Sequence, residues 1–282
     1  MQTVNRIVPL RQAVADLRRD GKVALVPTMG ALHEGHLTLV REARKLAAHV
    51  VVSIFVNPLQ FGANEDLAAY PRQLARDSAL IEAEGASLLW APDVGVMYPE
   101  GYATNISVSG ISEGLCGAAR PGHFDGVATV VCKLFNQVRP DMALFGEKDW
   151  QQLAVIRRMA RDLDLSFPAA TDILGVATVR EADGLAMSSR NAYLTPDERT
   201  AAAVLPRSMQ QAIAAIAAGR AVGQALADLR KALLAGGFQS VDYAELCDAD
   251  SLAPLAERGA GAARLLVAAR IGKARLIDNM AA

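Results

Sequence analysis

Short valine- and isoleucine-rich runs alternate along this chain with longer segments of helical period, and that alternation admits few folds. Lys22–Pro27 (KVALVP) stops at a proline and reads as a buried strand. Leu37, Val40, Ala43, Leu46 and Ala47 then recur at helical spacing, with charged residues between them. Val50–Val56 (VVVSIFV) reads as a second buried strand. Strand, helix, strand in that order suggests a parallel βαβ unit. The alternation continues with a helix over Leu67–Glu84, a short strand at Ser87–Trp90 and another expected at Asn105–Ser109. An apolar helical face runs from Val127 to Val138. A strand at Asp141–Phe145, a helix over Asp149–Arg161 and a strand at Ile173–Val179 complete the series. The expected fold is α/β, a doubly wound parallel sheet.

The ends of the chain have a different character. Residues 1–20 read as an amphipathic helix of mixed charge. Beyond Met187 two helices are expected, Pro196–Gly219 and Val222–Leu234, followed by strands at Ser240–Leu246, Arg264–Ala269 and Arg275–Ile277. Helices followed by strands describe a smaller C-terminal α+β domain. The expected division is 1–176 and 177–282.

Composition narrows the function classes. Of 282 residues, 52% are hydrophobic and 21% charged, enough to build a core. The net charge of −1 offers no basic excess for a nucleic-acid surface. Cys116, Cys132 and Cys247 are far apart and form no CxxC pair, as expected for a reduced chain. No apolar run is long enough to cross a bilayer. A soluble, cytoplasmic protein with no membrane partner is the expectation.

Chemistry concentrates just after the strands. His33-Glu34-Gly35-His36 follows the first strand and opens a helix. There, unpaired N–H groups and positive potential suit phosphate. Residues three apart share a helical face, so both imidazoles can address one anion. A helix cap or a metal pair are the alternatives, although the spacing is not that of HExxH. Gly146-Glu147-Lys148-Asp149 also follows a strand, and Lys148 suits phosphate as a point charge. Asp149 and Gln152 equally fit a cap and its reciprocal partner. Met187-Ser188-Ser189-Arg190-Asn191 lies at the domain junction. Its hydroxyls and guanidinium suit a triphosphate, and its place suits a lid. Asn57 and Gln60, past the second strand, can recognise a small polar substrate or simply build a turn. Arg120 and His123 add a cation and an imidazole. There is no Walker A or GxGxxG pattern.

The PTMGALHEGH segment resembles the HxGH signature of adenylate-forming nucleotidyltransferases, whose relatives include the class I aminoacyl-tRNA synthetases. With FVNPLQFG, YPR, RPGHFDGV, FGEKDWQQL, READGLAMSSRN and the ARLIDN tail, the chain resembles the pantoate–β-alanine ligase family along nearly its whole length. That resemblance implies a Rossmann-like first domain and a small covering domain in a cytoplasmic homodimer. It implies that ATP, with Mg2+, activates pantoate as pantoyl adenylate with release of pyrophosphate. β-Alanine then takes the acyl group, giving pantothenate and AMP. It implies that Met29, Gly30, Ala31, Leu32, His33, Glu34, Gly35 and His36 line the ATP site, with His36 as proton donor and His33 its partner. Gly146, Glu147, Lys148, Asp149, Val179 and Met187 contact the nucleotide, and Lys148, Ser188, Ser189 and Arg190 hold its phosphates. Gln60 and Gln152 hold pantoate, Gln60 also lies near the β-alanine path, and Asn57 and Arg120 assist. Three rivals are weighed: a cytidylyltransferase-like enzyme, a tRNA-charging enzyme and a nucleotide-binding regulator without turnover.

Overall fold

Val23, Ala24, Leu25 and Val26 are all completely buried, so the strand they form needs cover on both faces. The computed structural model, which describes residues 1–62 and 67–282, supplies it. The chain divides into two compact units, Met1–Glu147 with Gln152–Ala177, and Lys148–Gln151 with Thr178–Ala282.

In the first unit six strands form one parallel sheet. They are β1 (Gln2–Val4), β2 (Val23–Thr28), β3 (His49–Ile54), β4 (Leu88–Trp90), β5 (Met142–Gly146) and β6 (Ile173–Val176). Their order across the sheet is β1-β4-β3-β2-β5-β6. The helices between them are α1 (Ile7–Leu17), α2 (Glu34–Leu46), α3 (Leu74–Ala83), α4 (Val94–Met97), α5 (Cys116–Ala119), α6 (His123–Val138) and α7 (Trp150–Asp162). Leu37, Leu39, Val40 and Ala43 of α2 share one apolar cluster with Ala24, Val26, Val50 and Val52. After β2 the chain builds outward through β3 and β4, then returns to place β5 on the other side of β2. The sheet therefore has its switch point between β2 and β5. In doubly wound sheets ligands bind past the carboxyl ends of strands at such a point.

The sequence reading needs correction in five places. Residues 2–4 pair with β4 as an edge strand, and the first helix starts only at Ile7. Three residues are too few to show a period, and Val4 is buried by that pairing. Asn105–Ser109 is no strand. Its backbone is met by a side chain instead: Ile106 N–H donates to Thr129 Oγ1 at 2.9 Å, and that hydroxyl donates to Asn105 at 3.2 Å. α3 begins at Leu74 rather than Leu67, because the residue before Pro71 is turned away from helix. Leu46 is half exposed at the end of α2, and Leu39 is buried instead. The expected Pro196–Gly219 helix is two helices, because Pro206 has no N–H to return to Ala202.

Those two helices are α8 (Pro196–Ala202) and α9 (Val204–Ala217). With α10 (Val222–Ala235) they belong to the second unit. Its sheet is antiparallel, β7 (Ser240–Asp248), β8 (Ala263–Ile271) and β9 (Ala274–Ala281), with β8 central. Leu205, Met209, Leu229 and Leu233 from the helices meet Leu265, Val267 and Leu276 in one core. This is the α+β character expected of the C-terminal part, beside a Rossmann-like first unit.

Trp90 on β4 is completely buried, and its indole N–H donates to Gln137 of α6 at 3.1 Å. Trp90→Ala is expected to cost about 3–5 kcal/mol, measured by urea denaturation. A loss below about 1 kcal/mol would mean that the β4–α6 contact collapses around the cavity without consequence.

Candidate active site

The loop that leaves β2 turns sharply before α2 begins. Gly30 (φ +86°) and Ala31 (φ +51°) are both left-handed. A side chain at Gly30 would also meet Asp77 Oδ2 at 3.1 Å and Ile54 at 3.2 Å. The bend is held from below. Asp77 of α3 is completely buried, and its carboxylate accepts Ala31 N–H at 2.8 Å and Leu32 N–H at 3.0 Å. Thr28 Oγ1 accepts Gly30 N–H at 3.2 Å and donates to Ser53 carbonyl at 2.9 Å.

His33 is the N-cap of α2. Its Nδ1 accepts Gly35 N–H at 3.2 Å, and His36 Nδ1 accepts His33 N–H at 3.3 Å, a reciprocal capping box made of two imidazoles. The ring centroids are 4.1 Å apart. A nitrogen that accepts a backbone N–H carries no proton, so each ring, when neutral, is the Nε2–H tautomer. Capping and chemistry are thus not alternatives here. The caps use Nδ1 and fix Nε2–H as the donor of each ring. Glu34 is exposed and pairs with Arg41.

The Asn57–Gln60 turn after β3 is packed against this loop. Gln60 is buried, and its amide donates to Met29 Sδ at 2.9 Å. Asn57 is buried with every hydrogen-bonding capacity used. It donates to Gln60 Oε1 at 3.1 Å and Gly126 carbonyl at 3.0 Å, and accepts from Leu59 N–H at 3.2 Å and Tyr98 hydroxyl at 2.8 Å. Burial, helped by Tyr102, pushes the Tyr98 phenol up and keeps it a donor. Asn57 therefore acts by holding Gln60. The carbonyl of Gln60 receives Arg120 Nη2 at 3.2 Å and His123 Nδ1 at 2.8 Å, while Arg120 Nη1 lies 3.0 Å from His123 Nε2. The turn rests on α6 at Gly126, where an added Cβ would fall 2.2 Å from Leu59 carbonyl oxygen. Only glycine allows that approach.

Gly146 ends β5, and a 3₁₀ turn, Glu147–Asp149, leads to α7, where half-buried Gln152 is the third residue. In the second unit Lys148 Nζ lies 3.8 Å from Asp149. Val179 carbonyl accepts Met187 N–H at 3.0 Å across a narrow hairpin, and Ser188 caps the 3₁₀ turn Ser189–Tyr193 by accepting Arg190 N–H at 3.3 Å. The structure thus joins Met29–His36, Asn57, Gln60 and Arg120 in one hydrogen-bonded group. It joins Val179 with Met187–Arg190 in another.

Asp77 and Tyr98 join the first group from outside the quoted motifs, while His123 and Gly126 come from RPGHFDGV, where Gly126 was given no role of its own. Asp77 left one usable signal: it stands four residues before buried Ile81, on the same stripe of α3. The cysteines stand outside the chemistry. All three are buried, and burial raises the Cys132 thiol and pushes Cys247 up to about 12.

Sheet order, switch point and imidazole-capped turn define the class, a Rossmann-like α/β protein carrying a small antiparallel α+β unit. The chain matches the model of the pantoate-beta-alanine ligase family over residues 2–281. It is 69% identical to the pantothenate synthetase of Novosphingobium aromaticivorans, over 99% of this chain and 98% of that one. The pantothenate synthetase of Thermus thermophilus superposes with a TM-score of 0.91 at 50% identity, covering 99% of both chains. The pantoate-beta-alanine ligase of Francisella tularensis, solved in complex with beta-gamma ATP and β-alanine, gives 0.84 at 31% identity, over 100% of this chain and 97% of that one. The chain belongs to the pantoate–β-alanine ligase family.

Asp77→Ala would leave the N–H groups of Ala31 and Leu32 buried without their acceptor. The expected loss is roughly 1–3 kcal/mol for each, read by urea denaturation. An unchanged midpoint would show that the bend does not depend on the carboxylate.

Proposed function

We propose that this chain condenses pantoate with β-alanine by way of a pantoyl adenylate. A pantoate carboxylate oxygen attacks the α-phosphorus of ATP, and the bond to pyrophosphate breaks. The β-alanine amine then attacks the acyl carbon, AMP leaves, and the amide nitrogen gives up a proton. Both steps gather anionic charge and need donors and cations rather than a nucleophilic side chain.

The observation that carries the reading is the imidazole capping box past β2. It presents two Nε2–H donors at the N-terminus of α2, where backbone N–H groups and the helix dipole also favour an anion. In this reading Met29–His36 hold the nucleotide, and His33 and His36 stabilise charge on the transferring phosphoryl group. A carboxylate nucleophile carries no proton to remove, so charge stabilisation suffices for His36. Gly146, Glu147, Asp149, Val179 and Met187 contact the nucleotide, and Lys148, Ser188, Ser189 and Arg190 its phosphates. Gln60, held by Asn57 and by Arg120 with His123, takes pantoate together with Gln152. Among the described residues no three of His, Cys, Asp and Glu gather as an ion cage. In this reading Mg2+ is carried by the ATP phosphate oxygens. No described helix is long and apolar enough to cross a membrane. The family resemblance extends the proposal to a cytoplasmic homodimer.

The test is pyrophosphate release from ATP and Mg2+ with pantoate present and β-alanine absent, followed by addition of the amine. A small burst, then steady AMP and pantothenate formation, is expected. Pyrophosphate release that ignores pantoate would sink the proposal. His36→Ala is expected to slow the adenylation step by roughly 10²–10³, the usual loss for one transition-state donor. A rate within a few-fold of the parent would remove His36 from the chemistry.

A further inference from the structure

Asp278 and Asn279 lie in the second half of β9, and these two neighbours reach both phosphate segments of the second unit. Asn279 is buried, and its side-chain N–H donates to the backbone carbonyl of Lys148 at 2.9 Å. That bond ties the 3₁₀ turn carrying Lys148 to β9, a sequence distance of 131 residues. The same amide's oxygen accepts from Arg264, whose guanidinium lies 3.4 Å over the Trp150 ring. Trp150 in turn donates to Ala249 carbonyl at 2.9 Å. The short segment Lys148–Gln151 is thus fastened to the second unit at two residues.

Asp278 serves the other segment. Its side chain is completely buried and takes Arg180 in a two-pronged pair, Nη1 to Oδ2 at 2.7 Å and Nη2 to Oδ1 at 3.0 Å. Arg180 also donates to Gly184 carbonyl at 3.0 Å and Asn279 carbonyl at 3.3 Å. Those bonds lock the hairpin in which Arg180 bridges Ala186 and Val179 receives Met187 N–H. The hairpin delivers Met187–Arg190, and β9 packs against the 3₁₀ turn Ser189–Tyr193 that follows. Planar two-pronged pairing fixes direction as well as distance.

We infer that Asp278 and Asn279 are positioning residues that set Lys148 and the Met187–Arg190 segment against one common strand, so that ATP phosphates meet both at a fixed spacing. The inference rests on the reading of Lys148 as a phosphate ligand. A bare structural role would have β9 complete the sheet and nothing more. The side-chain pattern goes further, because Asp278 takes Arg180 and the Asn279 side chain reaches Lys148 carbonyl as well as Arg264 of β8.

Asn279→Asp isolates the contact. It keeps the shape and the oxygen that takes Arg264, and removes the N–H that Lys148 carbonyl accepts. The expected result is a KM for ATP raised about five- to tenfold, the scale of one lost hydrogen bond. KM for β-alanine, which enters after ATP has reacted, stays within twofold, and the thermal midpoint falls only on the scale of one lost buried hydrogen bond. In a Lys148→Ala background the same change is expected to add little, since Asn279 acts through Lys148. If Lys148→Ala weakens ATP use while Asn279→Asp leaves it unchanged, the inference fails and the ligand reading stands. If Lys148→Ala has no effect on KM for ATP, the ligand reading fails and takes the inference with it. If Asn279→Asp does not fold, Asn279→Ser, which keeps a short donor, replaces it: partial retention of ATP affinity supports the inference, and an effect equal on both substrates overturns it.

Discussion

A buried carboxylate holds the bend on which the geometry of the first unit's candidate site depends. Asp77 comes from α3, far along the chain from the loop it grips, and takes two consecutive backbone N–H groups. Ionised groups in a protein interior are costly unless fully hydrogen-bonded. Here the cost is offset by fixing a turn with two left-handed residues in succession. Once that turn is set, His33 falls at the N-cap of α2 and His36 three residues later. Everything after it, from the tautomers of the rings to the contact of Met29 with Gln60, inherits that geometry.

The site is built in nested layers of polar contact. Gln60 faces Met29, Asn57 holds Gln60, and Tyr98 and Gly126 hold Asn57. Arg120 and His123 grip the same turn through its main chain. Each outer residue is positioned by a helix or a sheet-edge connection, so the precision of the inner ones comes from rigid elements. A polar network of this kind works only when every member is satisfied, and Asn57 is a case of full satisfaction.

Much of the architecture was legible in the sequence because its signals are periodic. β2 and β3 announce themselves by runs of buried valine, and α2 by its stripe. The failures share a cause: they concern residues whose state is decided by something distant. Residues 2–4 are a strand only because β4 offers an edge. Asn105–Ser109 stays unpaired because Thr129 serves its backbone. Among the proposed site residues, His33, His36, Gln60 and Lys148 stood out because each follows a strand end. Asp77 did not, because it lies inside a helix where a polar residue carries no local motif, and Asn279 closes the ARLIDN tail, a match that gave it no role. Asn57 stood out as a candidate, but its hold on Gln60 needed the fold.

The segment Lys148–Gln151 has a consequence for how this chain can be divided. It groups with the second unit although the residues on either side of it group with the first. The chain therefore passes from one unit to the other three times, and the C-terminal unit is not a contiguous module. A cut at the end of β6 would leave Asn279, Arg264 and Ala249 without Lys148 and Trp150. Recombination between relatives at that boundary would pair each strand with a foreign tetrapeptide. The heritable piece is discontinuous, and the four residues travel with a unit that resumes only at Thr178.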